Sequence, residues 1–131
     1  MAKEVTTVSE EGFGSTSEIR EFEMEIDATG EETPDTLEAL LASYAACYVP
    51  ALRVGAQQRN VDDLGHLEID VTGELNDDDK LASVRFDIAV EADVDEETGE
   101  TIVERADQLC KVHDALKPAL HHETTFTGGA F

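Results

Sequence analysis

Residues 39–52 read Ala-Leu-Leu-Ala-Ser-Tyr-Ala-Ala-Cys-Tyr-Val-Pro-Ala-Leu, and every position except Ser43 is apolar, small or aromatic. A one-sided amphipath would break such a run with charge every three or four residues. This run is not broken, so it predicts a helix buried around most of its circumference. Thr33-Pro34-Asp35 predicts the start, with an N-cap, a proline at the first helical position and an acid in the first turn. The helix is expected to extend to about Gln58. One curved antiparallel sheet in a chain this short covers a single face. The opposite face is expected to pack on the same helix of a second copy across a two-fold axis, as an obligate homodimer. The alternative is that the two C-terminal helices cover it within one subunit. Pro50 has no N–H for the carbonyl of Ala46, which predicts a kink one turn after Cys47 with a free acceptor beside the thiol. A kink without chemical consequence is the other reading.

Strands flank this helix. Lys3–Val8 is short and β-branched, and the following stretch to Glu18, with Gly12 and Gly14, reads as a loop. Ile19–Ile26 alternates, placing Phe22, Met24 and Ile26 on one face of a half-buried strand. Leu67–Leu75 and Val84–Glu91 alternate again across the Asn76–Asp79 turn, as an antiparallel pair. Ile102, Val103, Ala106 and Leu109 give a helix from about Thr98. A second short helix carries Val112, Ala115 and Leu116, and a last strand, Glu123–Thr127, leads into a Gly128-Gly129 tail expected to fray. The class is α+β, an antiparallel sheet with a long central helix, in a single domain over residues 1–131.

Thirty-one Asp and Glu against nine Lys and Arg give a formal charge of −22. Such a surface repels itself in dilute buffer. With a Debye length of ~3 Å at 1 M salt against ~10 Å at 0.1 M, it is tolerated in brine. A high-salt cytoplasm is the expected setting. No basic stripe exists to neutralise phosphates, so nucleic acid is not an expected partner. Neither is a membrane, since the run from Ala39 to Leu52 falls short of the ~20 residues that cross a bilayer.

Cys47 and Cys110 are the only thiols, one inside the long helix and one between two short helices. Neither resembles half of a surface staple, and the pair suggests redox chemistry. Buried cysteine is also a common small hydrophobe, so Cys47 has a structural reading too. On physical grounds Cys110 is the better thiolate, because a helix begins directly after it. His113 is read either as a surface residue or as lining the site. His121-His122-Glu123 is not expected to chelate a metal, since neighbouring strand side chains diverge, and Asp93–Gly99 is read as a turn rather than a calcium loop. No cofactor is implied.

The order of these motifs resembles the OsmC/Ohr superfamily, the osmotically inducible protein C and organic hydroperoxide resistance proteins. The likeness rests on Leu-Glu-Ala-Leu-Leu-Ala-Ser-Tyr-Ala-Ala-Cys on a central helix, two alternating strands, then Cys-Lys-Val-His-Asp-Ala-Leu, over about residues 20–126. The resemblance implies an intertwined homodimer and thiol-dependent reduction of organic hydroperoxides in oxidative or osmotic stress defence. Electrons would come from a dithiol such as a lipoylated protein. It also implies Cys47 as the peroxide-attacking cysteine, Cys110 as the resolving cysteine, and a Cys47–Cys110 disulfide. Three positions depart from the family pattern. Leu37 stands where members carry a carboxylate, with Glu38 next to it; the first arginine is Arg20; and Cys110 precedes Lys111 instead of proline. The alternatives to a peroxidase are a non-catalytic dimer binding a small apolar ligand and a stress protein with inert thiols.

Overall fold

The computed structural model describes residues 1–131, which divide into two compact units, Met1–Leu40 and Leu41–Phe131. In the first unit, β1 (Thr6–Val8), β2 (Gly14–Ile19) and β3 (Phe22–Asp27) form an antiparallel sheet in that order. Strand β2 falls where a loop was expected. Its sequence, Gly-Ser-Thr-Ser-Glu-Ile, alternates among small polar residues and carries no apolar signal. The single strand expected over Ile19–Ile26 is instead the end of β2, a turn and β3. Arg20 makes that turn in the left-handed region, at φ 56°. Phe22 and Met24, expected to lie on one face of a half-buried strand, are 53% and 46% exposed in this chain.

The long helix, α1 (Thr36–Gln57), begins two residues later than the sequence suggested. Asp35 is its cap: the Asp35 carboxylate accepts from Glu38 N–H at 2.8 Å, and the Glu38 carboxylate accepts from Asp35 N–H at 2.9 Å. This reciprocal pair satisfies two amide donors at the helix start. The helix continues through Pro50. By length and composition alone α1 could cross a bilayer, contrary to the count from Ala39 to Leu52. Its Tyr44, Tyr48, Leu52 and Ala56 instead pack into the core of the second unit, while Ala42, Ala46, Pro50 and Val54 form an exposed stripe. Burial is therefore one-sided within this chain.

That core rests on β4 (Leu67–Leu75) and β5 (Leu81–Val90), antiparallel as expected, with Val84, Phe86, Ile88 and Val90 facing inward at every second position. The helix α2 (Glu96–Leu109) is capped by Asp95, whose carboxylate accepts from Thr98 N–H at 2.7 Å. It packs closely on α1. A Cβ added at Gly55 would lie 3.2 Å from the carbonyl oxygen of Ile102, so glycine permits the approach. Next come α3 (Lys111–Ala115), a 3-10 turn (Pro118–Leu120) and β6 (Glu123–Thr127). The α+β class stands, with two three-stranded sheets in place of one. The second sheet is mixed, because β6 pairs parallel to β5. The tail after β6 is tied down: Gly129 N–H donates to Ala92 C=O at 2.8 Å and Ala130 N–H to Val90 C=O at 3.0 Å.

Candidate functional site

Cys47 lies on the flank of α1 and is half-buried; Cys110 is 1% exposed, and both thiols are free. Cys110 ends α2 and starts α3. Its own N–H donates to Ala106 C=O at 2.9 Å, and its sulfur accepts from His113 N–H at 3.4 Å. The two sulfurs are neighbours whose ionisation is linked.

Their surroundings split the two thiols apart. Burial works to raise Cys47, but hydrogen bonds from the Val112 amide, the Cys110 thiol and the Lys111 amide, with the Lys111 ammonium, outweigh it and hold the thiol below its ordinary value. Burial pushes Cys110 up to about 11, and the adjacent Cys47 pushes it the same way. Amides at the start of α3 donate to both sulfurs, but only at Cys47 do they outweigh burial. This reverses the preference for Cys110 drawn from the sequence. Cys47 is thus the more easily ionised thiol of the two, and Cys110 holds its proton at neutral pH.

Of the residues noted where the chain departs from the family pattern, Glu38 closes the cap of α1. The guanidinium of Arg20 lies over the Phe22 ring, 5.1 Å from its centroid.

A polar cluster that no local motif announced sits behind Cys110. Tyr44 and Tyr48 are fully buried on successive turns of α1. Burial raises the Tyr44 phenol well above its ordinary value, so it keeps its proton. It donates to Nδ1 of His113 at 2.5 Å and accepts from His122 N–H at 3.2 Å. The Tyr48 hydroxyl donates to Asp107 Oδ1 at 2.8 Å and contacts Val103 C=O at 3.2 Å. His122, its side chain 1% exposed, places Nε2 2.7 Å from the same Asp107 oxygen, while Nδ1 pairs with the Thr124 hydroxyl. Burial alone would raise the Asp107 carboxyl, but its bonds with His122 and Tyr48 hold it below the usual carboxylate range. His113 is depressed, chiefly by burial.

His113 thus lines the site. His121 and His122 both stand against it, at ring-centroid distances of 3.9 and 5.3 Å. The divergence expected of strand neighbours does not apply, since both residues precede β6. Donor atoms of Asp107, His113 and His122 lie within 4.8 Å of one another, a set able to hold a metal ion. The one sequence signal was the Tyr44/Tyr48 pair: hydroxyls one turn apart in an apolar helix must find buried partners.

The OsmC-like protein family model matches residues 28–125, spanning α1, both cysteines and most of β6. The chain belongs to the OsmC-like family. An uncharacterized protein of the halophilic archaeon Haloferax volcanii is 44% identical over 128 residues, covering 98% of this chain and 97% of that protein. Among solved structures, an OsmC-like protein from Mycoplasma pneumoniae superposes with a TM-score of 0.81 at 18% identity, over 98% of this chain and 96% of that one. The organic hydroperoxide resistance protein OhrB of Bacillus subtilis does so with a TM-score of 0.72 at 20% identity, over 96% and 98%. At these identities the superpositions show the shared OsmC-like fold.

Proposed function

We propose that this OsmC-like chain is a cysteine peroxidase that reduces organic hydroperoxides. The observation carrying this reading is the unequal thiol pair, an activated Cys47 beside a buried, protonated Cys110. The Cys47 thiolate attacks the outer peroxide oxygen; the O–O bond breaks, the alkoxide leaves and takes a proton to become the alcohol, and Cys47 is left as a sulfenic acid. Cys110 then attacks that sulfur. The S–S bond forms as the sulfenic hydroxyl departs with the Cys110 proton as water. A dithiol reopens the disulfide and is itself oxidised, a lipoylated protein being the donor the family resemblance suggests. The hydroperoxide-resistance name of the Bacillus subtilis fold neighbour supports the substrate class.

The working form is a homodimer in the cytoplasm. Its support is the exposed apolar stripe of α1, Ala42, Ala46, Pro50 and Val54, together with exposed Phe22 and Met24. The test is dithiol-driven consumption of an alkyl hydroperoxide in molar salt. Cys47→Ser should abolish turnover, and Cys110→Ser should give one fast turnover that stops at a trappable sulfenic acid. Turnover that persists in Cys47→Ser would end the proposal.

A further inference from the structure

We propose that Asp107, His113 and His122 bind a divalent transition-metal ion of the zinc or ferrous type, independently of whether Cys47 turns over peroxide. The three donors arrive from different places, the last turn of α2, the middle of α3 and the approach to β6, yet lie within 4.8 Å of one another. Two imidazoles and one carboxylate form a ligand set suited to such ions and not to calcium or magnesium, which take oxygen.

The rings are held in advance. His122 stacks on Phe86 at 4.5 Å with an interplanar angle of 11°, and its Nδ1 is bonded to Thr124, directing Nε2 at Asp107. His113 stacks on His121, whose Nε2 is itself bonded to Leu116 C=O at 3.1 Å. A partner on the distal ring nitrogen is what fixes the orientation of a metal-binding histidine. The Tyr44 and Tyr48 hydroxyls touch His113 and Asp107 and hold them in place as hydrogen-bond partners.

In a tetrahedral site with bonds of ~2.0–2.1 Å, ligand atoms sit about 3.3 Å apart. The 2.7 Å Asp107–His122 contact must therefore open by roughly half an ångström. Asp107 has that freedom. It is 36% exposed and borders a cleft of about 640 Å³ between α2 and β6, whose helix side carries Glu96, Glu100 and Glu104. This gives an ion a way in and raises the local concentration of cations. On binding, the ion takes the place of the hydrogen between His122 Nε2 and Asp107, and the imidazole carries its one N–H on Nδ1, where the Thr124 hydroxyl accepts it.

The test is a titration of the chelator-treated protein with Co²⁺ in molar NaCl, which screens attraction to surface carboxylates. The expected result is one equivalent bound, with the visible absorption of nitrogen-ligated, low-coordinate cobalt. That signal should be lost in His122→Gln and in Asp107→Asn, should weaken about 10–100-fold in affinity in Thr124→Val, and should survive Glu96→Gln/Glu100→Gln. Asp107→Asn keeps the size and hydrogen-bonding reach of a partly exposed side chain, so it reports even if His122→Gln fails to fold. No cobalt absorption, or absorption that persists in Asp107→Asn, would overturn the site and leave the cluster as a hydrogen-bond network alone.

Discussion

Replacing Lys111 by proline should lower thiol reactivity while the fold stays intact. Lys111 is the first residue of α3, where proline is best tolerated, and Cys110 before it has φ −74° and ψ 114°, the extended conformation a following proline requires. The gain of about 0.4–1 kcal/mol from restricting the unfolded chain is offset by the lost hydrogen bond from the Lys111 amide. The same change removes the Lys111 N–H and its ammonium, two of the groups that lower Cys47. A hydrogen bond to a charged acceptor contributes about 1.5–3 kcal/mol. Cys47 is half-buried and keeps the larger Val112 contribution. The lower end, about 1.5 kcal/mol, is therefore appropriate, which is a little over tenfold in thiolate population. Iodoacetamide alkylation of Cys47, followed by mass spectrometry at neutral pH, should slow by about that factor, and the difference should vanish in strong alkali. Cooperative urea melts should confirm that the variant is folded. An unchanged neutral-pH alkylation rate in the folded variant would refute the assignment of these groups to Cys47.

Other outcomes follow from single contacts. Gly99→Ala places a Cβ 2.7 Å from Cδ1 of Phe126; overpacking costs about 1–3 kcal/mol against roughly 0.5–1 gained in helix propensity, so urea melts should show a net loss near 1 kcal/mol. His113 is held below its ordinary value by burial, so protons favour the unfolded chain and stability should fall as pH drops below about 6.5. His113→Gln, which can still accept from Tyr44, should flatten that limb while leaving the separate loss in acid, where the depressed Asp107 carboxyl protonates less readily than in the unfolded chain. With a net charge of −22, the melting temperature should climb steeply between 0.1 and 1 M NaCl as the Debye length shrinks from ~10 to ~3 Å. A flat salt response would show that the carboxylates are already neutralised by local pairing.

The elements legible in the sequence were those with a strong apolar pattern, α1, β4 and β5, although α1 is buried on one side only within this chain. Strand β2 escaped because its residues are small and polar, and the parallel course of β6 escaped because strand direction is set by its distant partner β5. The capping pair Asp35–Glu38 was present in the sequence, but Thr33-Pro34 offered a competing start two residues earlier. At the site, the cysteines could be found from their motifs, whereas which one ionises could not. That depends on where the Lys111 and Val112 amides point, a matter of tertiary placement. Asp107 carries no local signature, and the His121-His122 motif reads as non-chelating in isolation because its partner stands fifteen residues away on an element that converges with it only in the folded chain.

Cys110 closes one helix with its backbone and opens the next with its side chain. An electrophile that captures this sulfur must first take it from the His113 amide, so covalent change at the thiol loosens the first turn of α3. Amide hydrogen exchange at residues 111–115 would then report the oxidation state of a sulfur that solvent scarcely reaches, making a five-residue helix the readable dial of a hidden atom.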